Sequence, residues 1–335
     1  MPALKAIASR KTLATKLEVV CPEDRVLRVR GKKKLEVAAT KSFCVKHGIR
    51  YHEIPSKIDK EKRKEAWASL RERVLEEKFD LGVVISFGYF LPSSLLKLFS
   101  KGAINVHPSL LPKYRGAAPI EHALLNNDEV TGVSIIEVDP KRFDAGHVLS
   151  QTEHKIDPSP QLSASELLRD LSHVGARDVV DVMENLEIRR SNAVPQDENQ
   201  VSRAPKVSSD LGLIDWNNMH GEDIFGRFRA LSSRTGIYTH IDRNDEKRRV
   251  MLRQVSLPRH YDDDDEKLRK PDVEDASPGT AVYDKLNKVV WIRCGGDDDW
   301  IVCGELQVER KKSLKALDFA NGFQFMKRGT SILFI

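Results

Sequence analysis

The sequence predicts an α/β fold, a doubly wound and mostly parallel sheet, followed by a second domain built as a small β-barrel. Three observations lead there. Short apolar runs alternate with helical periodicity from Leu17 to Leu186; a polar, proline-bearing stretch without periodicity follows; and beyond Trp216 short strand-like runs succeed one another with few helices between them. The chain has 335 residues, too many for one ordinary core and enough for two.

The elements read as follows. Leu17 to Cys21 and Ile49 to Ile54 predict short strands, Leu35 to Lys46 and Lys64 to Glu77 helices, and Phe79 to Phe87 a continuous apolar strand of the kind buried in a parallel sheet. Leu95 to Ser100 and Pro119 to Asn126 predict helices, Ala103 to His107 and Gly132 to Val138 strands, and Ser163 to Leu186 a long amphipathic helix that closes the unit. No Gly-x-Gly-x-x-Gly follows a strand, which removes support for a dinucleotide-binding enzyme. Residues 1–188 form the first predicted domain, 189–215 a linker and 216–335 the second domain. In the latter, Glu222 to Leu231 predicts a helix; Gly236 to Ile241, Val250 to Val255, Thr280 to Tyr283, Lys288 to Arg293 and Trp300 to Val308 predict barrel strands. Ser313 to Gly322 predicts a short helix ended by Gly322. The acidic run Asp262 to Glu266 reads as a solvated loop insertion.

Bulk properties exclude several classes. No uninterrupted apolar run nears the length that spans a bilayer, so no membrane association is expected. Four cysteines, Cys21, Cys44, Cys294 and Cys303, are scattered without metal-ligand or disulfide spacing, so no metal site is expected and a reducing compartment is the default. The net charge is only +5, yet residues 1–60 hold fifteen Lys or Arg against six Asp or Glu, a local excess larger than that of the whole chain. Residues 1–16 contain no acid and are rich in Ala, Ser, Thr and basic residues, as a mitochondrial transit segment or a ragged basic terminus would be.

The most informative stretch runs from Ala103 to Pro119, AINVHPSLLPKYRGAAP. Asn105 and His107 alternate along a strand that ends in a proline-marked turn, so both side chains face one way at the strand end where open α/β sheets bind ligands. A second apolar run leads into Asp139-Pro-Lys-Arg-Phe-Asp-Ala-Gly146, placing Asp144 in a glycine-ended loop able to converge on them. An isolated Asn-x-His is more often a pair of hydrogen-bonded structural groups than a site; the turn, Arg115-Gly116 and Asp144 together reverse that weighing. His122 and His147 read as incidental. The basic loop from Arg25 to Lys34 is compatible with a solvated surface loop or with a phosphate-binding one.

The order Asn105-Val-His107, Ser109-Leu-Leu-Pro112, Arg115-Gly116-Ala-Ala-Pro119 and Asp144-Ala-Gly146 resembles the formyltransferases that use 10-formyltetrahydrofolate, most closely those acting on methionyl-tRNA. Pro140-Lys-Arg-Phe-Asp-Ala-Gly146 is similar to their mitochondrial branch. The resemblance implies a Rossmann-like formyltransferase domain, an OB-like C-terminal domain, and transfer of the donor's formyl group to the amino group of methionine on initiator methionyl-tRNA in the mitochondrial matrix. A monomer is expected, with the folate donor and tRNA as partners.

The chemistry fits the residue types. Formyl transfer to an amine needs a donor to the developing oxyanion, a role suited to the Asn105 amide, and a proton carrier near neutral pH, suited to His107. Asp144 would orient His107 and raise its pKa. The resemblance assigns these three residues as the catalytic set. It implies a folate wall from Ser109, Leu110, Leu111 and Pro112, with Phe87, Gly88 and Tyr89 in the same pocket. It implies tRNA contacts from the basic loop, with Arg30 as its key arginine and Arg28, Lys32, Lys33 and Lys34 beside it, and from Lys206. Phosphate contacts of that kind give affinity that falls with salt. Amino-sugar formylation, hydrolysis of the folate donor and a catalytically impaired tRNA-binding remnant are the alternatives. Family members normally open with a further strand and a Gly-Thr loop before the equivalent of Leu17; that opening is not found here. Its loss is expected to expose two strand edges and one wall of the pocket, leaving a poorly folded or weakly active chain.

Overall fold

A computed structural model describes residues 1–29, 32–55, 59–243, 246–258, 270–271, 273, 276–297, 299–325 and 330–335. The acidic run at 262–266 and Arg30 lie outside the described residues. The chain packs as two compact units, the first comprising 1–117, 132–154 and 170–203, the second 118–131, 155–169 and 204–335.

The first unit opens with helix α1 (Pro2–Ser9), which starts on a proline and buries Ala3 and Ile7. Strand β1 (Glu18–Pro22) follows. The basic stretch expected to be a loop is instead an antiparallel hairpin of β2 (Arg25–Val29) and β3 (Lys32–Glu36), in register Val26 opposite Leu35 and Arg28 opposite Lys33. The expected helix from Leu35 therefore begins later, as α2 (Ala39–His47), since Leu35 and Glu36 are used in the hairpin. Gly48, at φ 64, ends that helix in the left-handed conformation. Strand β4 (Arg50–Ile54) and helix α3 (Lys60–Glu77), capped by the Asp59 carboxylate accepting from the Lys62 amide, complete the first crossover. Strand β5 (Gly82–Ile85), helix α4 (Ser93–Leu96), strand β6 (Ala103–His107), strand β7 (Val130–Glu137) and strand β8 (Val148–Lys155) come next.

These strands form separate sheets. Strand β1 pairs in parallel with β4, and β5 pairs in parallel with β6 in the order β5-β6-β7-β8. Among the described residues no ladder joins β1 to β5, and each is paired on one side. A cluster of Leu70, Val74 and Leu95, with Val20, Trp67 and Phe79 against it, lies under this region. The parallel pattern does not continue through the second half: β7 runs antiparallel to β6, with Asn105 opposite Ile136 and His107 opposite Ser134. Helix α6 (Ala164–Glu184) comes so close to β6 that a Cβ on Gly175 would sit 2.8 Å from Val106 Cγ1. A short helix α7 (Leu186–Ser191) follows, and residues 189–203 pack with the first unit.

The second unit contains helix α5 (Pro119–Leu125) and helix α8 (Gly221–Leu231), whose His220 and Asp223 form a reciprocal cap. Its sheet has strands β9 (Ile237–Arg243), β10 (Glu246–Ser256), β11 (Thr280–Asp284), β12 (Val289–Arg293), β13 (Trp300–Val308), β14 (Leu314–Lys315) and β15 (Ile332–Leu333). They run in the order β9-β10-β13-β12-β11-β15, with β14 beside β13. His240 and Ile335 exchange backbone hydrogen bonds of 3.0 and 2.9 Å, which closes the sheet into a barrel. One face of its strands carries a buried cluster of Val289, Trp291, Trp300 and Val302. Helix α9 (Ala316–Phe323) starts later than expected because Leu314 and Lys315 are drawn into β14, and its C-cap is Gln324, at φ 62, not Gly322. Cys21, Cys44, Cys294 and Cys303 are free and buried; burial pushes the Cys21 thiol up to about 11 and the Cys303 thiol up to about 12.

Candidate active site

Asn105 and His107 stand at the carboxyl end of β6, and the 139–146 loop brings Asp144 to them. Asn105 Nδ2 donates to Asp144 Oδ1 at 3.2 Å, and His107 Nδ1 lies 3.5 Å from the same oxygen. The other carboxylate oxygen accepts the Gly116 amide at 3.0 Å. Asp144 sits at φ 53, a left-handed conformation that a short polar residue tolerates. Two residues on, a Cβ at position 146 would lie 1.8 Å from the Glu137 carbonyl oxygen, so only glycine fits there. The family-like Asp-x-Gly spacing thus has a steric cause.

His107 is 4% exposed, and its Nε2 lies 3.0 Å from the Tyr114 carbonyl oxygen. That oxygen can only accept, so Nε2 carries the hydrogen and Nδ1 presents its lone pair toward Asp144. Burial pushes the imidazole below its ordinary value; the Asp144 carboxylate and the Tyr114 carbonyl raise it, but by less. The expectation that pairing with Asp144 would raise it on balance is therefore corrected by desolvation. A neutral ring with a free Nδ1 is suited to accept a proton, and Asp144 is placed to stabilise the cation that results.

The Ser109–Pro112 turn is held from within. Ser109 Oγ donates to the Lys113 carbonyl at 2.6 Å, and Ser134 Oγ donates to the Ser109 carbonyl at 2.7 Å while accepting the Leu111 amide at 3.1 Å. Gln151 Nε2 donates to Ser134 Oγ and to the Leu111 carbonyl, both at 2.9 Å. The Leu111–Pro112 peptide is cis. Ser109 and Leu111 are buried, at 0% and 4% exposure.

A pocket of about 70 Å³ opens beside this cluster, lined by Phe87 and Tyr89 together with Asn105 and Asp144, and rimmed by Phe90, Arg142 and Phe143. The Phe87 and Tyr89 rings stand 5.3 Å apart, and Phe90 meets Phe143 edge-on at 4.8 Å. Gly88 is exposed, with open space where a Cβ would project. His107 and the Ser109–Pro112 turn are not part of this lining. Lys33 and Lys34 are exposed on the hairpin; Arg28 and Lys32 have their backbones in it; Lys206 is exposed and belongs to the second unit.

Several site residues carried little signal in the sequence. Ser134 could have been found as the one polar residue inside Gly132 to Ile136, a run otherwise apolar and buried throughout. The Tyr114 carbonyl and Gln196, in the stretch expected to be linker, have no sequence signature because their contacts depend on how distant segments meet. Among the described residues no group of three or more His, Cys, Asp or Glu could hold a metal ion, and no helix is long and apolar enough to cross a membrane.

Known proteins resemble this chain in sequence and in fold. The formyl transferase family matches residues 3–183 and the formyl transferase C-terminal domain matches residues 206–324. The mitochondrial methionyl-tRNA formyltransferase of Homo sapiens is 35% identical over 248 residues, covering 73% of this chain and 60% of that protein. The methionyl-tRNA formyltransferase of Dictyoglomus turgidum is 32% identical over 293 residues, covering 87% of this chain and 84% of that one. Among solved structures, HypX from Aquifex aeolicus in complex with tetrahydrofolic acid superposes with a TM-score of 0.55 at 16% identity, over 91% of this chain and 47% of that one, a likeness of fold. The chain thus spans 60% of the length of the mammalian relatives it matches. On the strength of the two domain matches and these identities, the chain belongs to the formyl transferase family.

Proposed function

We propose that this chain transfers the formyl group of 10-formyltetrahydrofolate to the amino group of methionine on initiator methionyl-tRNA, for translation initiation. The observation that carries the reading is the convergence of Asn105, His107 and Asp144 at one strand end, with the His107 tautomer fixed by a main-chain carbonyl. Relatives named as methionyl-tRNA formyltransferases favour a tRNA-borne acceptor, and the mitochondrial names of the mammalian ones favour the matrix as its location. The fit of a folate rests on the lining: the Phe87 and Tyr89 rings, tilted 43° to one another, give apolar surface for a heterocycle, and the Asn105–Asp144 end supplies polar groups.

The donor supplies an activated N-formyl carbonyl. The residues do the rest. The Asn105 amide uses one N–H on Asp144 and keeps the other for an oxygen that gains negative charge. His107 Nδ1, neutral at pH 7, accepts the proton released by the attacking amine. Asp144, held by the Gly116 amide and Asn105, stabilises the imidazolium until the bond from the formyl carbon to folate N10 breaks and the proton passes to that departing nitrogen. The exposed Lys33 and Lys34 of the hairpin, with Arg28, Arg30, Lys32 and Lys206, supply positive charge for tRNA phosphates.

The test is single-turnover formylation of charged initiator methionyl-tRNA by the intact chain and by His107→Ala. A drop of about 10²- to 10⁴-fold in the variant, the usual range for a lost general base, is expected. Formylation of an amino sugar but not of the tRNA, or equal rates in the two proteins, would overturn the reading.

A further inference from the structure

Gln196 lies in a polar, non-periodic segment, yet each polar atom of its side chain has a partner around the candidate site. Its Nε2 donates to the Asp144 carbonyl at 2.9 Å and to the Gly146 carbonyl at 2.7 Å. Its Oε1 accepts from Arg115 Nε at 2.9 Å. Arg115 in turn forks onto Glu198, with both bonds at 3.2 Å. Gly116, the neighbour of Arg115, is the residue whose amide holds the Asp144 carboxylate. Gln196 therefore ties the two chain segments that meet at Asp144, one by its carbonyls and the other through Arg115.

We propose that Gln196 is a positioning residue for formyl transfer: it clamps the 144–146 loop to the Arg115–Gly116 turn and so fixes the Asp144 carboxylate against His107. Main-chain bonds fasten the two ends of the 139–146 loop, Val138 N–H to the Ala103 carbonyl and Glu137 N–H to the His147 carbonyl. Between them, the carbonyls of Asp144 and Gly146 take their donors from Gln196. The Asp144 backbone, at φ 53, is tied through its carbonyl to Gln196. Removing both donors leaves two carbonyls to seek water and lets residue 144 relax, which lengthens the 3.5 Å separation between Asp144 and His107. A displacement of that order at a catalytic pair is felt in rate far more than in substrate binding.

The inference rests on the roles given to Asn105, His107 and Asp144 above. Its test therefore reads the pair directly as well as through turnover. Gln196→Met keeps length and volume and deletes every hydrogen bond; Gln196→Asn keeps the amide on a shorter arm. The His107 ring is titrated by NMR in the parent and both variants, and kcat and KM for 10-formyltetrahydrofolate are measured alongside. Asp144 is the charged group 3.5 Å from the ring, and its withdrawal moves the His107 midpoint to lower pH. The expected result is a lower midpoint in Gln196→Met with kcat down about tenfold or more and KM within about twofold, and Gln196→Asn between parent and Met. An unchanged midpoint and kcat, with only a lower melting temperature, would show a structural latch and overturn the proposal. If the parent transfers no formyl group, the titration still decides: a shifted midpoint upholds the clamp while the function reading fails, and an unshifted one overturns the clamp. Should Gln196→Met not fold, the same two outcomes are read from Gln196→Asn.

Discussion

In the second unit the last residue of the chain closes the sheet, Ile335 exchanging hydrogen bonds with His240, whereas in the first unit β1 and β5 each pair on one side only. The consequence shows in burial. Val290, Ile292, Ile301 and Val302 of the barrel are all at 0% exposure, while Gly82 to Ile85 of β5, equally apolar in sequence, are only half-buried. A closed sheet satisfies its backbone internally and saturates its core. An open one leaves strand ends and edges where polar side chains stand next to accessible space. The candidate site belongs to the open sheet, at the end of β6; Ile104 of β6 and Ile135 of β7 are themselves at 0% exposure, so the contrast with the barrel lies at the β5 edge.

Matched truncations give the largest effect by which to break that contrast. Ile292→Ala in the barrel is expected to cost about 2–5 kcal/mol, and Ile85→Ala in β5 about 1–2 kcal/mol, because a half-buried side chain has less contact to lose and its site is less confined. Urea unfolding of both variants checks this. Equal costs would mean that β5 is as well packed as the barrel and that its open edge has no energetic weight.

The contrast also bears on what could be read from the sequence. Some barrel strands were legible nearly to the residue, since local apolar alternation and burial point the same way: Trp300 to Val308 is the observed span and Thr280 to Tyr283 falls one residue short, whereas Val250 to Val255 misses the charged first four residues of Glu246–Ser256 and Leu314–Lys315 was read as helix. In the first unit the alternation of elements was legible, but not the antiparallel turn of the sheet at β7, nor the hairpin hidden in the basic stretch. Chain direction in a sheet depends on tertiary connection, and Lys-rich β2–β3 lacks the apolar alternation that marks a strand. Asn105, His107 and Asp144 were legible because their spacing is local to a strand end and one loop. The Tyr114 carbonyl and Gln196 were not, because a main-chain acceptor has no residue signature and residues 196 and 144 meet only after folding.

A second, smaller effect concerns the charges that hold the edge strand β1. Glu18 accepts from His52 Nε2 at 2.7 Å and from Arg73 Nη2 at 2.6 Å, and Arg73 also pairs with Glu77. Burial alone would raise the Glu18 carboxyl, but the bonds from Arg73 and His52 outweigh it and bring it down from 4.5 to about 2. A depressed acid contributes stability that is fully present above pH 4.5 and is lost as pH falls toward 2. Glu18→Gln is therefore expected to lower the melting temperature at pH 7 and to flatten its decline between pH 5 and pH 2.5. Parallel declines for parent and variant would show that the β1–β4 pair does not depend on this carboxylate.

The smallest effect on stability, and the sharpest separation of folding from function, is expected at the β2–β3 hairpin. Among the described residues this ribbon has two strands and no third, and Val26 and Leu35, opposite each other in register, are 62% and 58% exposed. Such a hairpin contributes little to the core. Lys33 and Lys34 are exposed, so reversing their sign costs the fold little. Lys33→Glu with Lys34→Glu should leave the unfolding free energy within about 0.5 kcal/mol of the parent. Binding of initiator tRNA should weaken, and the slope of log affinity against log salt should become shallower by about one to two, as expected for two lost phosphate contacts. The two measurements are made on one protein by thermal denaturation and by filter binding across a salt series. An unchanged salt slope in a folded variant would remove the hairpin from the tRNA surface and leave its positive charge as ordinary solvation.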